Sequence, residues 1–365
     1  MKVVELLDID PLLQQMWDEG GTDLLLTGGS EPRIRVNGGL RPVGAKVLDS
    51  EAIALVVEDM LTPEQRGSFM AEKDIDFAFS WKEHGRLRAN AFMQRGTVAL
   101  ELRMIPYRIP SMVELGLPPV AAWIADLPRG LVLVTGPTGS GKSTTLASII
   151  DHINEHRQLH ILTIEDPIEY LHHHKRSVVN QRAVGTDTPS FERALRAALR
   201  EDPDVLLVGE MRDLESIQIA LTMAETGHLV FATLHTNDAA QAVDRIIDVF
   251  PGDRQDQIRV QLGACLAAVL AQRLVPRISG GMVAAFEVLK ATNATRNLIR
   301  EGKTNQLRNT MTTNQSEGML TLEMNLNELV RSGTISSEAA LGVSNFPKEI
   351  LSGTAAPAPM ARRVS

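Results

Sequence analysis

Apolar and polar positions along this chain fall into two successive patterns. Residues 3 to 19 place Val3, Leu6, Leu7, Leu12, Leu13 and Met16 at helical spacing, interrupted near Pro11. Short apolar stretches at 24–26, 32–36 and 40–43 predict strands, with Asn37-Gly38-Gly39 as a hairpin turn. Residues 50–60 and 63–71 predict helices, opened by Asp49 and Ser50 and by Thr62-Pro63. Alternation at 75–81, 85–94 and 98–105 predicts three more strands. Residues 1–105 therefore read as one α+β domain.

Met104 to Pro119 carries four prolines, which predicts a linker over 106–119. The pattern then changes. Strands at 131–135, 160–164, 204–208 and 229–233 alternate with helices at 142–154, 190–200, 214–225 and 239–248. Such alternation implies right-handed crossovers and a mostly parallel sheet, with ligands at the C-terminal ends of its strands. Residues 254–342 read as mainly helical, with one short strand at 283–288, so the second domain spans 120–345. Residues 346–365 end in an Ala/Pro/Ser-rich stretch expected to be disordered. No internal repeats are evident.

Composition narrows the classes. A hydrophobic content of 44% suits ordinary globular cores, and a net charge of −8 with pI near 5.7 argues against broad electrostatic binding to nucleic acid. Cys265 is the single cysteine, so neither an intrachain disulfide nor a cysteine-based zinc site is available. Its apolar setting, Leu262 to Leu270, predicts a buried inert thiol and fits a reducing compartment. The first twenty residues are acidic and amphipathic, unlike a signal peptide, and no apolar run approaches membrane-spanning length. These features predict a cytoplasmic protein that meets a membrane only through a partner.

The candidate chemistry centres on Leu131 to Ser148, LVLVTGPTGSGKSTTLAS. A buried strand, a Gly-rich turn and a helix opening at Lys142 form a phosphate-binding loop of the pattern G-x-x-x-x-G-K-[ST]. Gly136, Pro137, Thr138, Gly139, Ser140 and Gly141 would present backbone N–H groups to the β-phosphate. Lys142 would hold the β- and γ-phosphates, Ser143 a Mg²⁺ ion, and Thr144 completes the nucleotide-binding set. ATP hydrolysis also needs carboxylates to orient water and hold the metal, and a cation facing the γ-phosphate. Three later stretches end apolar strands with such groups. Glu165 and Glu169 lie in ILTIEDPIE, Glu210 follows VLLVG, and His228 and His235 flank LVFATL. His172-His173-His174 reads as a solvated loop rather than a metal site, because adjacent side chains point different ways.

The series GPTGSGKSTT, ILTIEDPIEY, VNQRAVGTDT, ALRAALREDPDVLLVGEMRDLESI and ETGHLVFATLHTNDAA closely resembles the type IV pilus retraction ATPases of the secretion-ATPase superfamily, over about residues 3–345. The resemblance implies an N-terminal PAS-like α+β domain followed by a RecA-like P-loop ATPase domain with a helical C-terminal region. It further implies a cytoplasmic homohexamer at the inner face of the inner membrane. There ATP and Mg²⁺ would drive pilin depolymerisation and twitching motility through a membrane platform protein, with pilin a partner only indirectly and no direct nucleic-acid contact. Matched to the family's motifs, Glu169 is the water-activating glutamate, Glu210 the atypical Walker B acid on magnesium, and His228 and His235 the His box. Arginines supplied in trans are expected from the first domain, with Arg88 and Arg103 foremost and Arg86 and Arg108 behind them. Ala294 to Glu301 resembles a motif associated with retraction, with Thr295 where Ile is usual. Two other departures are Leu in place of a histidine within Thr22-Asp23-Leu24-Leu25-Leu26, and Phe286 where His is common.

Assembly and secretion motors of the same superfamily generally have a longer N-terminal region and a four-cysteine zinc element, which favours retraction here. An accessory retraction ATPase would share every motif. A RecA-like DNA motor is disfavoured by the negative charge. A nucleotide-binding regulator that does not hydrolyse ATP is disfavoured by the two carboxylates and the His box.

Overall fold

The computed structural model describes residues 7–36, 39–44, 46–106, 108–211 and 213–351. Val3, Leu6, Asn37, Gly38 and the tail 352–365 lie outside them. Contacts divide the chain into two units between Arg108 and Ile109.

The first unit comprises α1 (Asp10–Asp18), β1 (Asp23–Thr27), β2 (Arg33–Val36), β3 (Gly39–Pro42), α2 (Ser50–Met60), α3 (Pro63–Glu72), β4 (Asp74–Trp81), β5 (Gly85–Gln94) and β6 (Thr97–Pro106). Pro11 starts α1 rather than interrupting it, because a proline in the first turn gives up an N–H that has no helical partner. Asp49 caps α2, and Thr62 and Gln65 form a reciprocal capping box on α3. The strands form one antiparallel sheet in the order β3-β2-β1-β6-β5-β4. Arg95 and Gly96, both at positive φ, make the two-residue turn of the β5–β6 hairpin. Leu24, Leu26, Leu87, Ala89, Leu100 and Leu102 supply its buried face, on which Ile53 and Val57 of α2 pack.

The second unit comprises α4 (Val120–Ala125), β7 (Gly130–Thr135), α5 (Lys142–His156), β8 (His160–Glu165), β9 (Val178–Ala183), α6 (Phe191–Ala198), β10 (Val205–Val208), α7 (Leu214–Thr226), β11 (Leu229–Leu234), α8 (Ala239–Asp248), α9 (Gly252–Cys265), β12 (Leu266–Pro276), β13 (Met282–Lys290), α10 (Asn293–Arg300), α11 (Leu307–Thr313), α12 (Leu322–Arg331) and α13 (Ser337–Val343). Its sheet runs β13-β12-β7-β11-β10-β8-β9, with β13 the one antiparallel strand. Every residue of β7, β10 and β11 is buried, as expected of strands covered on both faces. The architecture is RecA-like, and the C-terminal ends of β7, β8, β10 and β11 share one edge. Among the described residues no helix is long and apolar enough to cross a membrane.

Three elements differ from the sequence expectation. The 254–342 stretch is mainly helical as expected, but residues 266–276 add a long strand beside β7 that the sequence pattern does not predict. LAAVLA is Ala-rich and uniformly apolar, so it carries no alternation to betray a strand buried on both faces. Residues 178–183 form an edge strand whose polar Asn180, Gln181 and Arg182 hide any strand pattern. Val120 to Ala125 form a short helix with Val120, Ala121, Ile124 and Ala125 buried.

Candidate active site

The loop after β7 is shaped by its glycines. Gly136, Gly139 and Gly141 take φ of 145°, 76° and 86°, values that side-chain-bearing residues rarely adopt. At Gly136 a Cβ would also collide with the Gln272 carbonyl oxygen and the Ser140 side chain. Gly141 caps α5 without any side-chain hydrogen bond, so its first-turn N–H groups point out as an anion cradle. Gln272, from β12, braces the loop from behind, its Nε2 donating to the Ser140 carbonyl at 2.5 Å.

Lys142 is buried, and its Nζ donates to the carbonyls of Gly136 at 2.8 Å and Pro137 at 3.1 Å. Burial pulls its pKa down, while the charges of Glu210 and Glu169 push back up. The ammonium therefore already sits in the field of two carboxylates that arrive from other strands.

A cavity of about 460 Å³ joins these groups; Lys142, Ser143, Glu165, Glu169, Glu210 and His235 line it with the Gly-rich loop. Glu165 ends β8, where Thr163 Oγ1 donates to its Oε1 at 2.6 Å and Gln181 Nε2 to the same oxygen at 3.2 Å. Desolvation pushes the Glu165 carboxyl up to about 7 against those hydrogen bonds. Glu169 is exposed, and its backbone N–H meets Glu165 Oε2 at 3.5 Å. Glu210 Oε1 and His235 Nε2 stand 3.1 Å apart. The Thr233 hydroxyl, one turn of the pleat earlier, donates to the Gly209 carbonyl and locks the ends of β10 and β11 together.

Two sequence-predicted groups stand elsewhere. His228 precedes β11 and His235 follows it, so six strand residues put roughly 20 Å between them. His228 therefore does not line the cavity, where the sequence reading grouped it with the catalytic residues. Its Nδ1 instead lies 2.9 Å from the Met223 carbonyl, at the C-terminal end of α7. Arg88 and Arg103 are cross-strand neighbours on β5 and β6, in the first unit, whereas every residue lining the cavity belongs to the second. Arg103 Nε donates to the buried Asp23 at 2.6 Å and Arg88 stands 3.8 Å from Asp76.

Among the described residues no group of three or more His, Cys, Asp or Glu side chains converges on a metal position. The hydroxyl of Ser143 and the carboxylate of Glu210 on one cavity instead fit Mg²⁺ that arrives with a nucleotide and keeps much of its water. Sequence reasoning passed over Tyr170, Gln181 and Gln272. Tyr170 OH lies 2.9 Å from Thr144 Oγ1, while Gln181 and Gln272 act through bonds to residues far away in sequence. None of the three departures from the motif pattern lines this cavity. Thr295 is buried, its hydroxyl donating to the Lys290 carbonyl, and Phe286 is a core residue.

Comparison with known proteins matches residues 109–340 to the family described as Type II/IV secretion system protein. The chain is 47% identical, over 94% of its length and 99% of the relative, to the type IV pilus retractation ATPase PilT of Pseudomonas aeruginosa. It is 43% identical, over 94% of its length and 90% of the relative, to the type IV pilus ATPase PilU of the same organism. A crystal structure of the pilus retraction motor PilT with bound ADP superposes with a TM-score of 0.89 at 45% identity, covering 94% of this chain and 99% of that one.

Proposed function

The chain belongs to the type II/IV secretion system protein family, and on that premise we propose that it is a hexameric ATPase motor that powers type IV pilus retraction and twitching motility. The observation that carries this reading is the convergence of Lys142, Glu169, Glu210 and His235 on one cavity beside a glycine-shaped phosphate loop. A PilT structure of the same fold holds ADP.

Within this reading ATP binds with its phosphates on the N–H groups of residues 136–143. Lys142 leaves the loop carbonyls it now contacts and turns to the β- and γ-phosphates. Glu169, exposed in the cavity, orients a water and draws off its proton as the oxygen attacks phosphorus and ADP departs with the bridging oxygen's electrons. Ser143 and Glu210 would hold Mg²⁺, which when bound would offset charge on the phosphate oxygens. His235 contacts Glu210 at the end of β11 and lines the same cavity, so it would face the terminal phosphate and pass loss of that phosphate to β11. Arg88 and Arg103 act in trans on the site of a neighbouring subunit, so turnover requires the ring.

The motor works in the cytoplasm at the inner membrane, where a platform protein passes its movement to pilin. Similarity to the PilU relative favours one other reading, an accessory retraction ATPase with the same chemistry. Deleting the gene alone distinguishes them, since loss of an accessory motor leaves retraction running. The enzymatic reading is tested by ATP turnover of the purified chain across a concentration series. Mg²⁺-dependent hydrolysis that rises as hexamers form supports it, and binding of ADP without turnover at any concentration contradicts it.

A further inference from the structure

We propose that Gln181 is a positioning residue for hydrolysis: its single amide group holds the 165–172 loop so that Glu169 faces the same cavity as Lys142. The inference rests on the ATPase reading above and adds a residue to it.

Gln181 lies on the edge strand β9, outside the phosphate loop and the two acidic motifs. Its Nε2 donates to Glu165 Oε1 at 3.2 Å and to the Tyr170 carbonyl at 2.8 Å, while its Oε1 accepts from the His172 N–H at 2.8 Å. Two acceptors lie on one side and a donor on the other, so only this orientation of the amide satisfies all three partners. The three contacts fall at the start, the far side and the end of one short loop, whose middle carries Glu169.

Two further links make the clamp continuous with the nucleotide site. The Glu169 N–H meets the other oxygen of Glu165, so the carboxyl that Gln181 holds sets the backbone from which the Glu169 side chain extends. The Tyr170 OH reaches Thr144, the third residue of α5. The loop is therefore tied to β9 at its base and to the phosphate-loop helix at its tip. Gln181 does not line the cavity, so its removal leaves the Gly-rich loop and Lys142 in place. What it changes is the direction of Glu169, and a general base displaced by about an ångström is expected to lose one to two orders of magnitude in rate.

The test compares the full-length parent with Gln181→Leu and Gln181→Glu, measuring kcat for ATP and the Kd of a fluorescent ADP. Leucine removes all three bonds, whereas glutamate keeps the acceptor for His172 and loses both donors. The expected result is a kcat lower by about tenfold or more in both variants with ADP affinity within about threefold of the parent. The glutamate variant also moves its pH–rate profile upward, because it sets a second carboxyl beside Glu165. A variant that binds ADP as the parent does and turns ATP over within about twofold of it overturns the proposal, as does loss of affinity in step with kcat. Gln181→Glu decides the matter if the leucine variant does not fold. A parent that binds ADP without hydrolysing ATP overturns the ATPase reading instead.

Discussion

His235 Nε2 stands 3.1 Å from Glu210 Oε1, each just beyond the C-terminal end of a parallel strand hydrogen-bonded to the other. The contact joins two groups that line one cavity, the carboxylate proposed to hold the metal and the imidazole proposed to face the terminal phosphate. His235→Ala is expected to lower kcat by about ten- to a hundredfold while ADP affinity changes little. Equal losses in both, read from turnover and ADP titration, would make His235 a binding residue instead.

Lys142 bridges the Gly136 and Pro137 carbonyls and faces Glu210 and Glu169. Lys142→Ala removes the buried cation that Glu210 and Glu169 face and that the phosphate loop itself supplies. Turnover is expected to disappear and ATP affinity to fall by about tenfold or more. Turnover within about a tenth of the parent's would place the essential cation elsewhere.

Gly136 and Gly139 separate two reasons for a glycine. Gly136→Ala meets the Gln272 carbonyl at once, whereas nothing lies within 4 Å of a Cβ at Gly139, where only the positive φ of 76° opposes a side chain. Gly136→Ala is therefore expected to abolish ADP binding. Gly139→Ala costs only on the order of 1 kcal/mol in loop strain, a few-fold in Kd. Titration with fluorescent ADP checks both.

Glu287 of β13 accepts the Ala239 N–H at 2.8 Å at the start of α8, and burial pushes its carboxyl up from 4.5 to about 7. Between those values the folded chain keeps a proton that the unfolded chain has released, so the contribution of Glu287 to stability falls as pH rises through that window. The loss is on the order of 3 kcal/mol by pH 7. Glu287→Gln mimics the protonated acid, so its stability relative to the parent is expected to improve from pH 5 to pH 8 in thermal unfolding. An unchanged difference would mean that Glu287 stays ionised throughout.

The sequence made the α/β order of the second unit legible because β7, β10 and β11 are short apolar runs between glycines and helix caps. It hid β12, where Ala267, Ala268 and Ala271 suit a helix locally and only packing between β7 and β13 makes the segment a strand. The same limit applies at the site. Gly136 to Ser143 are consecutive and act together, so their pattern carries the phosphate loop by itself. His228 and His235 share a motif in sequence, yet the extended strand between them carries them to opposite edges of the sheet. Gln181 reaches Glu165 across sixteen positions, and Gln272 reaches Ser140 across 132, partnerships that no local spacing encodes.

The most direct test of the motor reading replaces the gene in its host with the Lys142→Ala allele, then counts surface pili by electron microscopy while surface motility is scored. An account in which this site powers retraction predicts excess pili with motility lost. Cells without pili would contradict it and identify an assembly motor, and pili in normal number with motility intact would contradict it as well.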